Sequence, residues 1–300
     1  MDAIEEIRNV EKRYQVHEFL GEGGSGDVFI GHDPKDGTKV VVKVQKAWRV
    51  WEREDHASEG RKLIEEGEAM RRLSGHRGIP RLLATGTYRD DVCLVMEFIE
   101  GQPLRDVLAG KRPVKHLGIV ASVIGQLCEI LWPIHGEDFA HGDLKPENIM
   151  VEPDGRLRLI DLGLAARIGQ PTQEPHGTTG YASDEQLEPC AKGLTGQSDI
   201  FSLGCILLEM AVMRLPYGGA EKRVERGYPV LPPDRLAAIP PEFRDLALHM
   251  VQWDPEDRPR DVREVMDRIR RFLPSLGDGR PPGMLDPDPT EYYRTFPPGL

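Results

Sequence analysis

The stretch HGDLKPENIM, residues 141 to 150, carries an Asp, a Lys two residues on and an Asn five residues on. A short irregular loop can aim all three at one point, and Asp143, Lys145 and Asn148 together offer a carboxylate, a cation and an amide oxygen. That set suits a metal-bound phosphate. Position 142, beside the Asp, is a glycine, and its presence there needs a reason.

Other residues could complete such a site. Gly21, Gly23 and Gly26 in GEGGSGDV allow a backbone to approach phosphates without Cβ clashes. The following DVFIGHD alternates like a strand and no Gly-Lys-Ser/Thr follows, so a glycine-rich hairpin over a nucleotide fits better than a dinucleotide or Walker loop. Lys43 follows three valines in KVVVKV, which sets an ammonium among apolar neighbours and requires an anion. The helix containing IEEGEAMRRL offers Glu66, with Glu65 and Glu68 as alternatives, and only a Glu facing the sheet can serve. Asp161 ends the apolar run RLRLID ahead of Gly163, a place for a carboxylate that holds a divalent cation together with Asn148. Each residue alone has an ordinary structural reading as a turn, a surface charge or a cap. Their order along the chain removes that ambiguity.

The elements that must position these residues follow from periodicity. After a charged leader, 1–13, residues 14–45 read as three antiparallel strands broken by glycines and by HDPKDGT. Residues 56–73 read as a helix, and LLATGTYRDDVCLVMEFI as two strands around an RDD turn. Residues 14–99 thus form a five-stranded antiparallel α+β unit with one main helix. From 100 to 273 the pattern is helical, at 114–135, 199–213, 241–252 and 260–273, the last opened by Pro259 and closed by Pro274. Residues 274–300, rich in Pro and Gly and without periodicity, read as a disordered tail or linker.

Three hundred residues at 39% hydrophobic content can bury two substantial cores, which argues against a disordered chain. A net charge of -11 makes a nucleic-acid partner a poor expectation. Cys93, Cys128, Cys190 and Cys205 are widely spaced with no C-x-x-C pair, which suits reduced thiols in a cytoplasm rather than disulfides or zinc. The start MDAIEEIRNVEKR has no signal-like apolar core, and the apolar stretches 117–135 and 200–213 read as too short or too interrupted, by Glu129 or Glu209, for a membrane span.

With these motifs in order, the chain resembles a protein kinase over about residues 13–273, most closely the eukaryotic-like Ser/Thr kinases of bacteria. The resemblance implies a bilobal fold, ATP and Mg2+ as cofactors, and a protein Ser/Thr hydroxyl as acceptor. It implies that Gly21, Gly23 and Gly26 cover the phosphates, that Lys43 contacts the α- and β-phosphates, and that Glu66 orients Lys43. VMEFIEGQPL resembles the interlobe hinge, with Met96 as gatekeeper, backbone groups of Glu97 and Ile99 binding adenine, and Val28, Val41 and Met150 lining the ring. Asp143 becomes the base, Lys145 the neutraliser of the transferring group, and Asn148 and Asp161 the magnesium ligands. GTTGYASDEQ resembles the end of an activation segment in which Thr178 bonds Asp143 and Lys145. Asp199 in SDIFSLG would hold the catalytic-loop backbone, and Arg258 would pair with Glu185.

The departures are informative. Gly142 stands where Arg is usual, Leu162 replaces Phe in the D-F-G triplet, Val41 replaces the usual Ala, and A-P-E reads Ser183, Asp184, Glu185. Two rival readings accompany these departures: a small-molecule kinase of the aminoglycoside or choline type, whose H-G-D loop HGDLKPEN also resembles, and a nucleotide-binding pseudokinase scaffold. Without an arginine at 142, activation need not depend on a phosphorylated loop. The enzyme is then constitutively competent or switched by a partner through residues 46–60.

Overall fold

The computed structural model describes residues 4–23, 26–46, 53–110, 114, 116–172, 175, 177–188, 190–218, 229–280 and 285–300, with the backbone alone for 53–59. Residues 24 and 25 of the glycine-rich stretch, and 47–52 of the stretch read as a partner-responsive switch, lie outside the described residues. The chain divides into two compact units, Met1–Ile99 and Glu100–Leu300.

In the first unit, β1 is Glu5–Ile7, β2 Gln15–Glu22, β3 Asp27–His32, β4 Lys39–Val44, α1 Arg53–Arg72, β5 Leu82–Tyr88 and β6 Asp91–Glu97. The strands form one sheet in the order β1-β5-β6-β4-β3-β2. Strand alternation decides what each face of β4 does. Val40, Val42 and Val44 enter a core with Val10, Tyr14, Ala84, Cys93 and Val95. Lys43 faces the other way, as does its cross-strand partner Leu94. The helix α1 covers that second face at close range, because a Cβ on Gly67 would stand 2.9 Å from Leu94 Cδ2.

The sheet has six strands rather than the five expected, and residues 1–13 are not a loose leader over their described part. β1 pairs parallel with β5, Glu5 opposite Ala84. A 3-10 turn at Val10–Lys12, capped by Asn9 whose side chain accepts the Glu11 N–H at 2.9 Å, then drops Val10 into the core. The charges of EEIRNVEKR conceal an Ile7, Val10, Tyr14 stripe that covers the sheet face opposite α1, and burying that stripe is favourable.

In the second unit, β7 is Gln102–Pro103, α2 Leu104–Val107, α3 Leu117–Gly136, β8 Phe139–Ala140, β9 Ile149–Val151, β10 Leu157–Leu159 and β11 Ala166–Arg167. Then come α4 Asp184–Leu187, α5 Gly196–Val212, α6 Pro233–Ala237, α7 Pro241–Met250, α8 Val262–Ile269 and α9 Thr290–Thr295. The short strands form β10-β9-β7 and β11-β8 ladders, all antiparallel. α3 and α5 are apolar on nearly every side and make the core of this unit. Contrary to the reading of 117–135 as too short, α3 is long and apolar enough to cross a membrane by length and composition, but 72% of that stretch is buried inside the unit.

The segment read as a tail is also ordered where it is described. Tyr293 of α9 is fully buried, as is Leu285 at 1% exposure, and α9 lies on α3. One aromatic and one leucine separated by prolines leave no period to detect, yet both side chains are buried.

Candidate active site

In the first unit β4 delivers Lys43 to the face that α1 covers, and α1 delivers Glu66. Lys43 Nζ donates to both Glu66 oxygens at 2.8 Å. The two residues are 4% and 3% exposed, whereas Glu65 and Glu68 are exposed, so the ambiguity among the three glutamates resolves to Glu66. Gly21, Gly23 and Gly26 lie in the β2-to-β3 hairpin, where Gly23 N–H donates to Gly26 carbonyl at 2.7 Å. A Cβ on Gly26 would collide with the Val44 carbonyl, so the return strand of the hairpin can pass only as glycine. Val28 is the cross-strand neighbour of Lys43, and Val41 of Met96. Glu97 binds the Arg81 backbone N–H through its carboxylate at 3.1 Å, and Ile99 is buried.

In the second unit the trio of 141–150 converges as its spacing predicts. Asp143 Oδ2 accepts from Lys145 Nζ at 2.8 Å and from Asn148 Nδ2 at 2.9 Å, while Oδ1 accepts from Thr178 Oγ1 at 2.7 Å. Lys145 Nζ also donates to Thr178 Oγ1 at 2.7 Å, which closes a ring of charge-assisted bonds. Asn148 ends a 3-10 turn, Pro146–Asn148, that leads straight into β9. Asp161 follows β10, and the Ile160 N–H donates to the Asn148 carbonyl at 3.0 Å, so the base of the β9–β10 hairpin ties the two proposed metal ligands together. Asp161 Oδ1 accepts the Gly163 N–H at 3.0 Å. Met150 lies in β9, opposite Arg158 and Pro103.

Gly142 has φ +78, and a Cβ there would stand 2.5 Å from the Leu164 carbonyl oxygen. The loop passes Leu164 at a distance and in a left-handed conformation that an L residue adopts only with strain. Glycine at 142 is therefore a backbone requirement of this chain.

Asp199, in the first turn of α5, accepts the N–H groups of His141 at 2.8 Å and Gly142 at 2.9 Å. Burial pushes its carboxyl up, but His135 at 2.9 Å and these donors outweigh that and hold it below the usual range. Burial lowers the His141 imidazole, whose Nδ1 accepts the Asp143 N–H at 3.3 Å. Underneath, Arg258 donates to Glu185 at 2.6 and 3.1 Å and to three backbone carbonyls. Burial is again opposed and overcome, here by Arg258, so the Glu185 carboxyl also sits low.

Several supporting residues gave no sequence signal. His135 meets Asp199 from the end of α3. Gln186 donates to the Gly142 carbonyl at 2.7 Å while completing the Ser183 capping box of α4. Arg105 joins Glu147 at 2.5 Å, Glu209 at 2.6 Å and Tyr181 at 2.7 Å. These partners lie 42 to 104 residues apart from it, so no local pattern could announce the network.

The sheet unit thus carries a buried Lys–Glu pair, and the helical unit an Asp–Lys–Asn loop locked to a threonine. A protein kinase domain is matched over residues 14–268, and the chain belongs to that family. It is 31% identical to the serine/threonine-protein kinase pkn2 of Myxococcus xanthus, over 89% of this chain and 34% of that protein. It is 30% identical to a probable serine/threonine-protein kinase of Streptomyces coelicolor, over 93% of this chain and 42% of that protein. Similarity extends to the MAP kinase kinase kinase wis4 of Schizosaccharomyces pombe, at 28% identity over 85% of this chain and 19% of that protein. The chain thus spans less than half the length of each of these relatives.

Proposed function

We propose that the chain transfers the γ-phosphoryl group of magnesium-bound ATP to Ser or Thr hydroxyls of protein substrates, and that it does so without phosphorylation of its activation segment. The observation that carries this reading is the Asp143 carboxylate held at once by Thr178, Lys145 and Asn148. Thr178 belongs to the segment GTTGYASDEQ, which the small-molecule reading leaves without a purpose, and its engagement favours a protein acceptor. The complete set Lys43, Glu66, Asp143, Asn148 and Asp161 favours an enzyme over a scaffold.

The residues fit the implied cofactors. An amide oxygen and a carboxylate are hard donors of the kind magnesium takes in company with substrate phosphates, and the Asn148 amide spends its nitrogen on Asp143, which leaves its oxygen as the acceptor. Magnesium supplies charge neutralisation to the phosphates when it is bound. Gly21, Gly23 and Gly26 would admit phosphates to the hairpin backbone, and Lys43, fixed by Glu66, would meet them. Val28, Val41, Met96, Glu97 and Ile99 would form the adenine contacts of the first unit. Asp143 would orient the acceptor hydroxyl and take its proton, with Lys145 placing positive charge beside it.

Independence from loop phosphorylation rests on three features. Gly142 cannot carry a cation to receive a phosphate. Arg167 of β11 has its guanidinium over the Phe139 ring at 5.1 Å. The Thr172 hydroxyl already accepts the Cys190 N–H at 3.1 Å, within a two-way backbone pairing of the same residues. Initial rates of Thr172→Ala and of phosphatase-treated protein on a protein substrate should stay within a few-fold of the untreated protein. A fall of about a hundredfold, some 2.7 kcal/mol in the barrier, would overturn the claim.

A further inference from the structure

Residues 285–300 lie beyond the matched kinase domain, yet they occupy a groove in the second unit that is shaped for them. Gly125 of α3 has no side chain where a Cβ would stand 2.8 Å from the Tyr293 hydroxyl and 3.3 Å from its ring. Gly155, at the tip of the β9–β10 hairpin with φ +79, has none where a Cβ would collide with the Asp288 carbonyl. Tyr293 donates to Glu129 at 3.1 Å, and the Gly299 N–H reaches the same carboxylate at 2.7 Å. Between these anchors sits Gln126, 3% exposed. Its Nε2 donates to the Gly155 and Pro289 carbonyls, both at 3.0 Å, and its Oε1 accepts the Leu157 N–H at 2.9 Å. One buried carboxamide therefore joins α3, the hairpin tip, the first residue of β10 and the segment.

We infer that Gln126 and the seated segment 285–300 are positioning devices for Asn148 and Asp161, which flank this hairpin. The hairpin is three residues long on each side, too short to hold its own geometry in water. Fixing its tip against α3 fixes its base, where the Ile160 N–H meets the Asn148 carbonyl. Partners that orient metal ligands from behind commonly set metal affinity. The part of the inference that concerns magnesium rests on the kinase reading, while the seating of the segment is testable without nucleotide.

The seating test uses the full chain. Alanine is a better helix former than glycine, so Gly125→Ala should raise the melting temperature if the groove were empty. With Tyr293 in place it should lower it, and adding Tyr293→Phe, which removes the hydroxyl at 2.8 Å but keeps the ring at 3.3 Å, should recover part of that loss. A rise for Gly125→Ala alone overturns the seating. The positioning test is amide exchange of residues 149–160 in Gln126→Leu and in Tyr293→Ala, which empties the anchor, expected about tenfold faster than in the unaltered chain while α5 is unchanged. In Gln126→Leu the magnesium concentration for half-maximal rate should rise about tenfold, with the KM for protein substrate unaltered. Unchanged hairpin exchange, or a lower rate at an unchanged magnesium requirement, overturns the positioning role. Seating that holds while all transfer is absent would instead count against the kinase reading alone.

Discussion

Lys43 and Glu66 show how a functional pair is also a structural debt. Both are nearly out of water, and a buried ion pair contributes little by itself, whereas half of one leaves an unpaired charge in an apolar place. Lys43→Met should abolish phosphoryl transfer and also lower stability, because the Glu66 carboxylate loses the cation that binds both of its oxygens. Replacing both, as Lys43→Met with Glu66→Leu, should recover most of that stability without recovering activity. Urea unfolding of the three proteins checks this, and a Lys43→Met chain as stable as the parent would show that Glu66 is not held in the way described. Asp143→Asn behaves differently, since the amide oxygen can still accept one of its bonds, and it should lose activity at nearly unchanged stability.

Among the elements, the β-hairpins and helices whose residues alternate or recur at helical spacing were legible: KVVVKV as a strand buried on both faces, IEEGEAMRRL as the helix carrying the partner of Lys43, and SDIFSLGCILLEM as a core helix. The trio at 143, 145 and 148 was legible because its geometry is local. β1, α9 and the groove were not, because Ile7, Val10 and Tyr293 find their partners tens to hundreds of residues away and carry no period of their own. Gly142 was legible only as a missing cation, since its other meaning depends on where Leu164 passes. That meaning gives a prediction at this scale: Gly142→Ala should cost about 1–3 kcal/mol, the usual strain of a non-glycine residue in a sparsely allowed backbone region. It should also reduce the rate, because the shift falls on the residue next to Asp143. Calorimetry and initial rates would check it, and a variant of unaltered stability would mean that the loop does not cross Leu164 so closely.

At the scale of the molecule, the buried acids of the second unit set opposite limits on its stability. Asp199 and Glu185 are held below their ordinary values of 3.8 and 4.5 by the donors around them. An acid whose carboxyl is depressed by folding contributes stability that is present above its unfolded value and is lost as the pH falls through the folded one. Glu129 runs the other way: burial raises it above 4.5, against the opposing bonds from Gly299 and Tyr293. Its folded state holds the proton more tightly than the unfolded chain, so it favours folding at low pH and that benefit is lost as the pH rises from the ordinary value through the folded one. The His141 imidazole, depressed by burial below 6.5, adds to the loss on the acid side, because the unfolded chain takes up that proton first as the pH falls. Urea unfolding from pH 3 to pH 8 should show stability falling on the acid side, with a slope of up to about 1.4 kcal/mol per pH unit for each proton taken up. Asp199→Asn should be less stable throughout yet fall less steeply below pH 4, because one proton-binding difference is gone. Glu129→Gln, whose amide oxygen can still accept from Tyr293 and Gly299, should make stability climb more steeply with pH above 4.5 and leave the slope at lower pH as it was. An unchanged acid slope in Asp199→Asn would mean that this carboxylate is not the one the fold depends on.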